Sequence, residues 1–379
     1  MPPELELPAA ARRVLALARE DRDGARAALA TLPVDEQVAL VCETPVARRA
    51  ELLDLLREPE RVIPRLPEAE LCFTVKAIGL ADAGWVLAHA TDEQVQSCVD
   101  LDGWGADDTP DRERLSAWIA ALLEGGDEAL LRAIHALDTE LLMLWLADRL
   151  ESHLKPNDDP GWEPPAGART LEGQFYVVAR RSGDDLEDAM RVLELLFEAD
   201  YWLYFRMLQA VSWESGPDNE EYALRWRTGR LQDLGFPPRE EALAVYAAPR
   251  RNELDALPEK PAPGVGEWHL PVWMPELPAA ADPRLALFQA AARLEPEARR
   301  SFFYAFVSLA NQVAVADRLP LGDAESLPKA IEKAALTASA GLDWLAARHG
   351  VEPVEVLRRA PLVRLFRIGH RLDPERAPS

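Results

Sequence analysis

Cysteine is scarce in this chain, and the three cysteines present are poorly placed for a disulfide framework or a zinc site. Cys42, Cys72 and Cys98 lie far apart in the sequence and form no CxxC motif. Each falls in an apolar helical pattern, which is typical of a buried, reduced thiol. The first residues, MPPELELPAA, also lack the basic and apolar regions of a secretory signal. Together these features predict a cytoplasmic location.

Long apolar runs and an excess of basic charge are lacking as well. No uninterrupted apolar stretch approaches the roughly 18 residues that a membrane-spanning helix requires, so we predict no membrane insertion. The chain carries 42 Lys and Arg against 65 Asp and Glu, a formal net charge of -23. A nucleic-acid backbone would be repelled by such a chain on average. The sequence therefore predicts no nucleic-acid partner and favours a protein partner.

Familiar catalytic and cofactor-binding motifs are also absent. The sequence has no HExxH, no GxxxxGKS or GxxxxGKT, no GxSxG and no complete GxGxxG. The six histidines are too far apart to form a local metal-binding pair. We therefore predict no catalytic residue, no cofactor and no local metal site. A site assembled from residues that are far apart in the sequence is an open alternative, and whether the protein is an enzyme is an open question.

What the sequence does contain is helical periodicity. Val34, Val38, Val41 and Cys42 share one helical face, and Thr91 has Gln94 at the spacing of a capping box. The tetrapeptide DEQV opens two such short helices. Because helices this short cannot bury their apolar faces alone, we expect successive ones to stack into a superhelical, solenoid-like domain. A longer helix is predicted over Thr109 to Glu124, with Pro110 in its first turn.

The fold class predicted is mostly α, with at most a small β element. Phe175 to Val178 is the compact β-favouring run, and the alternation of Trp268, Leu270 and Val272 suggests a partner strand for it. The predicted organisation is a helical-repeat domain (1–154), a linker (155–170), an α-rich middle region (171–248), a Pro-rich connection (249–283), a C-terminal helical domain (284–371) and a tail (372–379).

The most unusual local feature is an arginine cluster in an acidic chain. Arg225, Arg227 and Arg230 lie beside Trp226 and Tyr222, and on a helix Arg227 and Arg230 could grip a carboxylate or phosphate together. These five residues are the candidate ligand-binding site. The competing interpretation is ordinary ion pairing along a helix, and a structural pairing between domains is favoured over ligand binding.

Aromatic residues are concentrated in the same region. Helical spacing explains most of them as core rather than as the lining of a pocket. The group comprises Tyr201, Trp202, Tyr204, Phe205, Trp213, Tyr222 and Trp226.

Several stretches resemble an uncharacterised bacterial family, the domain of unknown function numbered six thousand one hundred and seventy-eight. They are DLDGW (100–104), LSAWIAALLEGG (115–126), RWRTGRLQDLGFPPREEALAVY (225–246), SLANQVAVAD (308–317) and LFRIGH (365–370). The family implies no activity. Residues 30–150 are also weakly similar to the cytosolic N domain of magnesium transporters and to the helical repeats of the flagellar motor switch protein, both of which act by protein contact.

Three functional hypotheses follow. The leading one is a non-catalytic helical scaffold or regulatory adaptor that acts by protein-protein contact. The second is a small anionic-ligand sensor or an enzyme with a pocket near Arg227 and Arg230. The third is a divalent-cation-responsive regulator that uses surface carboxylates, such as the pairs Asp107-Asp108 and Asp158-Asp159.

Overall fold

The structure is a computed structural model and forms two compact units, Met1–Arg227 and Thr228–Ser379. The residues that it describes are 9–159, 161–181, 186–213, 216–251, 254, 256–259, 262, 264–266, 268–273 and 284–372. Much of the predicted connection at 249–283 and the predicted tail from 373 onward lie outside these residues. Each unit is treated by itself below.

The first unit consists of short helices and one β-hairpin, and its last helix runs across the boundary between the units. The helices are α1 (Ala9–Glu20), α2 (Arg22–Ala30), α3 (Val34–Glu43), α4 (Val46–Leu53), α5 (Pro59–Val62), α6 (Glu68–Ile78), α7 (Gly84–Leu87), α8 (Asp92–Asp102), α9 (Arg112–Glu124), α10 (Asp127–Ala136), α11 (Thr139–Arg149), α12 (Glu187–Ala199), α13 (Tyr201–Trp213) and α14 (Gly216–Asp233). The prediction of a mostly α fold with a small β element is confirmed. The superhelical stacking of the short helices stays a prediction.

The hairpin is antiparallel and joins β1 (Leu150–Leu154) to β2 (Phe175–Ala179), with Leu150 opposite Ala179 and Leu154 opposite Phe175. The strand predicted at Phe175 is therefore present. The partner suggested for it, the alternating run around Leu270, was wrong. β1 directly follows α11 and pairs with one edge of β2, while Val177 exchanges two backbone hydrogen bonds with Arg169 on the other edge.

Side-chain caps fix where several of these helices begin. The Thr91 hydroxyl accepts from the Gln94 backbone N–H while the Gln94 amide oxygen accepts from the Thr91 N–H, so the predicted capping box is present. Asp111 accepts from the Arg114 N–H at 3.1 Å. This cap starts α9 at Arg112, later than predicted, because Pro110 forms an isolated β-bridge with Trp104 instead of entering the first turn.

Helix α8 lies at the centre of the first unit, and every residue from Gln94 to Asp102 is buried. Such a helix has no solvent-facing side, so its polar side chains need partners inside the protein. The Gln94 amide donates to the carbonyls of Ile63 and Leu66 at 2.9 and 2.7 Å. The Gln94 side chain thereby connects α8 to the segment between α5 and α6.

The second unit combines short helices with two long ones, of 21 and 24 residues. The helices are α15 (Arg239–Leu243), α16 (Ala286–Ala292), α17 (Pro296–Ala316), α18 (Ser326–His349), α19 (Pro353–Arg359) and α20 (Leu362–Leu372). Helical periodicity from Phe302 to Val313 and from Ile331 to Leu345 predicts two long helices, which match α17 and α18. Helix α18 ends at Gly350, which has the left-handed conformation with φ +62°.

Helices α18 and α20 approach each other closely, as the small residues of α18 predict. A Cβ atom added to Gly369 would lie 1.8 Å from the Thr337 carbonyl oxygen, and one added to Gly341 would lie 1.9 Å from the Leu365 carbonyl oxygen. Only hydrogen atoms fit between the two backbones at this crossing. The surrounding core consists mainly of Ala, Leu and Phe side chains.

Candidate functional site

The five candidate residues of the arginine cluster lie on α14 but do not converge. Tyr222, Arg225 and Trp226 are exposed on one face of the helix. Arg227 is buried, on the same side as Asn219 and Ala223, which stand eight and four residues before it. Arg230 is half-buried. One residue therefore points into the protein while its neighbours face solvent.

The Arg227 guanidinium is bound by protein groups. Its Nε donates to the Asp100 carbonyl oxygen at 2.8 Å, and its Nη1 lies 3.2 Å from Asp108 Oδ1. The guanidinium also stacks over the Trp104 ring, 4.8 Å from the centroid. Both acidic partners belong to the region predicted as 1–154, and all these contacts lie within the first unit. Arg227 thus anchors α14 to the segment that follows α8.

Asp102, the last residue of α8, is a second paired carboxylate and is buried. Asp102 Oδ1 lies 2.5 Å from Lys76 Nζ and 3.8 Å from an Arg114 guanidinium nitrogen. Its other oxygen accepts from the Trp118 indole N–H at 3.0 Å. A buried carboxylate persists only with such partners. These contacts explain why the Asp102 carboxylate is stable in the interior, and they give it a structural role.

The acidic loop after Trp104 is similarly engaged. Asp107 accepts from the Thr109 hydroxyl at 2.8 Å, and Asp108 pairs with Arg227. Asp159, in the other predicted acidic pair, accepts from the Gly161 N–H. Within the described ranges, no group of three or more His, Cys, Asp and Glu side chains is arranged to hold a metal ion.

Four aromatic rings project into solvent from α13 and α14. On α13, Trp202 is 78% exposed and Trp213 is 61% exposed; on α14, Tyr222 is 53% exposed and Trp226 is 55% exposed. The prediction that most of this aromatic group is core was therefore wrong for these four and for Tyr201, which is 39% exposed, whereas Tyr204 is buried as predicted. Helical spacing alone does not tell which face of a helix meets the protein.

Each pair of exposed rings has an exposed arginine near it. Trp202 and Trp213 stand eleven positions apart, which is close to three helical turns, so they share a side of α13 with Arg206 and Gln209. We call this set the α13 face. Tyr222 and Trp226 are one turn apart and flank Arg225; these three residues form the α14 face.

The second unit has its own cluster of polar and ionisable groups. Asp317 accepts from the Tyr246 hydroxyl at 2.6 Å and lies 2.6 Å from Lys333 Nζ. The His370 ring packs edge-on against the Tyr246 ring, with centroids 4.9 Å apart, and stacks against Phe366. Burial, and then the hydrogen bond to Asp317, raise the pKa of Tyr246. Burial, and then Lys333, lower the pKa of His370.

These two clusters draw on the stretches on which the family resemblance rests. Asp100, Trp104 and Arg227 meet in the first unit, and Tyr246, Asp317 and His370 meet in the second. Residues 26–373 match the model of a family of unknown function, DUF6178.

The chain belongs to this family. No curated protein and no solved structure matches it. In particular, no match links residues 30–150 of this DUF6178 member to magnesium transporters or to flagellar motor switch proteins. Among the described residues, no helix is both long and apolar enough to cross a membrane.

Sequence reasoning missed the residues that complete each cluster. Asp108 lies 119 positions from Arg227, and Lys333 lies 16 positions from Asp317 on another helix. Neither pair has a short-range spacing signal. The sequence did contain a signal that Trp202 and Trp213 are exposed. At helical spacing they share a stripe with the polar residues Arg206 and Gln209, and a stripe that contains such residues usually faces solvent.

Proposed function

We propose that this DUF6178 protein is a non-catalytic adaptor that binds a partner protein through the α13 face and the α14 face. The observation that carries the proposal is the exposure of Trp202, Trp213, Tyr222 and Trp226, each more than half accessible. Large aromatic side chains are seldom left in solvent without a use, because their burial is strongly favourable.

The chemistry of the two faces fits protein recognition. Trp, Tyr and Arg are the residues most enriched among those that dominate binding energy at interfaces. Arg206 and Arg225 add charged donors beside the rings, and these donors can bind carboxylates on a partner. The proposed partner surface therefore offers apolar pockets with acidic groups near them.

The two ligand-based hypotheses have less support from the same geometry. The Arg227 guanidinium is occupied by Asp100, Asp108 and Trp104, so a second anion would have to displace them. Asp107 and Asp159 accept hydrogen bonds from neighbouring groups. A cytoplasmic location belongs to the proposal as well; it is supported by the three cysteines, which are buried and form no disulfide.

The experiment compares point variants of the tagged, full-length chain as bait in its native cells. Proteins that copurify are quantified for the wild type, for Trp202→Ala, for Trp226→Ala and for Trp85→Ala. Trp85 is the matched control, because it is also an exposed tryptophan of the first unit, on α7. We expect a protein retained by Trp85→Ala to be depleted at least tenfold by Trp202→Ala or Trp226→Ala, since loss of one such anchor costs about 2 kcal/mol or more.

The partner identified in this way is then purified and titrated against the same variants. A dissociation constant raised by Trp202→Ala or Trp226→Ala and unchanged by Trp85→Ala supports the proposal. If all three variants bind the partner as the wild type does, neither face is the binding surface and the proposal is wrong.

A further inference from the structure

A groove in the second unit has the size and lining of a small-molecule site. Its volume is about 810 Å³, within the range of roughly 300–1,000 Å³ that is usual for ligand pockets. One wall is α17, a second is the corner between α19 and α20, and the third consists of Ala262, Gly264 and Val265. All three walls belong to the second unit.

Hydrogen bonds hold the third wall to the other two. The Ala262 N–H donates to the Arg358 carbonyl oxygen at 2.9 Å, and the Val265 N–H donates to Ser301 Oγ at 2.7 Å. Gly264 lies against the same serine, where an added Cβ atom would be 3.0 Å from Ser301 Oγ. The groove is therefore built by specific contacts on both sides.

The floor of the groove is long, apolar at Phe302 and Ala305 and polar at Ser308 and Gln312. Phe302, Ala305, Ser308 and Gln312 line it from a single stripe of α17. Ten residues of helix extend about 15 Å, so the stripe suits a linear ligand rather than a compact one. Apolar residues elsewhere in the lining include Leu294, Leu357, Leu362 and Val363.

Charge within the groove is unbalanced. Glu295 and Glu297 line it at the beginning of α17, and neither carboxylate forms an ion pair among the residues that the structure describes. The one arginine of the lining, Arg358, has its guanidinium 2.6 Å from Glu355 and is thus neutralised. A cationic group would find two carboxylates at one end of the groove, and an anionic group would be repelled there.

We infer that this groove binds a linear hydrophobic amine, with the alkyl chain along α17 and the ammonium group beside Glu295 and Glu297. This ligand class differs from that of the proposed protein partner, and it involves the other unit. The apolar lining accounts for affinity and the two carboxylates account for the choice of head group.

The test uses three probes that share one alkyl chain: dodecylamine, dodecanoate and dodecanol, titrated calorimetrically into the full-length protein below their aggregation concentrations. We expect saturable binding of one dodecylamine per chain, at least tenfold tighter than that of dodecanoate. Absence of saturable dodecylamine binding, or equal affinity for dodecanoate, overturns the inference.

Variants separate the head-group contribution from that of the chain. The double variant Glu295→Gln with Glu297→Gln should weaken dodecylamine at least tenfold and leave dodecanol unchanged. Ala305→Trp should abolish binding of both by filling the groove. The control is Glu332→Gln, an exposed carboxylate of α18 outside the groove. If the double variant binds dodecylamine as the control does, the carboxylates do not recognise the amine and the inference fails. Because Glu295 and Glu297 lie at the surface, the double variant still tests the inference if Ala305→Trp does not fold.

Discussion

The two units of this protein hold their helices together by different means. In the first, charged side chains are buried with partners: Arg49 lies 2.6 Å from Glu70 Oε2 and also donates to the carbonyls of Thr44 and Cys42. In the second, which also has the Asp317–Lys333 pair, the long helix α18 and α20 touch through Gly341 and Gly369 within a core of small and apolar side chains.

The difference follows from helix length. A short helix presents little apolar surface, and its end groups form a large share of its polar atoms, so side chains that bind carbonyls are valuable there. A helix of more than twenty residues such as α18 can bury a long stripe instead. Three sets of variants test this contrast.

The largest effect is expected for Arg227 in the first unit. Arg227→Ala leaves the buried Asp100 carbonyl without its donor and removes the ring contact with Trp104. We expect a loss of about 2 to 4 kcal/mol in the free energy of unfolding, measured by urea denaturation. Arg225→Ala is the control, because this exposed neighbour should cost less than about 0.5 kcal/mol. Equal urea midpoints for the two variants would contradict a structural role of Arg227.

A smaller effect is expected at the crossing of the second unit. Gly369→Ala places a methyl group against the Thr337 carbonyl and should cost about 1 to 3 kcal/mol through overpacking. Gly229→Ala, on α14, has open space around the added methyl and should instead gain about 0.5 to 1 kcal/mol from helix propensity. Thermal unfolding of both variants measures the contrast. A Gly369→Ala protein that is more stable than the wild type would show that the close approach is not needed.

The smallest effect concerns pH and His370. Burial, and then the nearby Lys333, lower the pKa of His370 in the folded protein, while Asp317 acts in the opposite direction. The unfolded chain therefore binds a proton more readily, and the free energy of unfolding should fall as pH drops below about 6.5 towards the lower folded pKa. His370→Gln should reduce this fall between pH 7.5 and 5.5 in urea titrations. An unchanged pH dependence would mean that His370 does not contribute to it.

Local features of the fold were predictable, because their signals lie within a few residues. The capping box of Thr91 and Gln94, the end of α18 at Gly350 and the strand at Phe175 each depend on a short spacing. The late start of α9 was not predicted. Its cause is the bridge between Trp104 and Pro110, which depends on the course of the preceding loop.

The candidate site was predictable in composition but not in arrangement. The sequence marks Arg225, Arg227 and Trp226 as unusual, yet their neighbours in space decide what each can do. Asp100 and Asp108 reach Arg227 only through the tertiary fold, so nothing in the local pattern separates the buried arginine from the exposed one. The exposure of Trp202 likewise depends on which side of α13 is covered.

The burial of α8 on every side has a consequence for how the first unit opens. Water cannot reach the amide protons of this helix until the helices around it separate, so their exchange with deuterium reports large openings rather than fraying. The capping box at Thr91 removes the usual weak point at its first turn. We therefore expect the slowest-exchanging amides of this unit to lie between Val95 and Asp102.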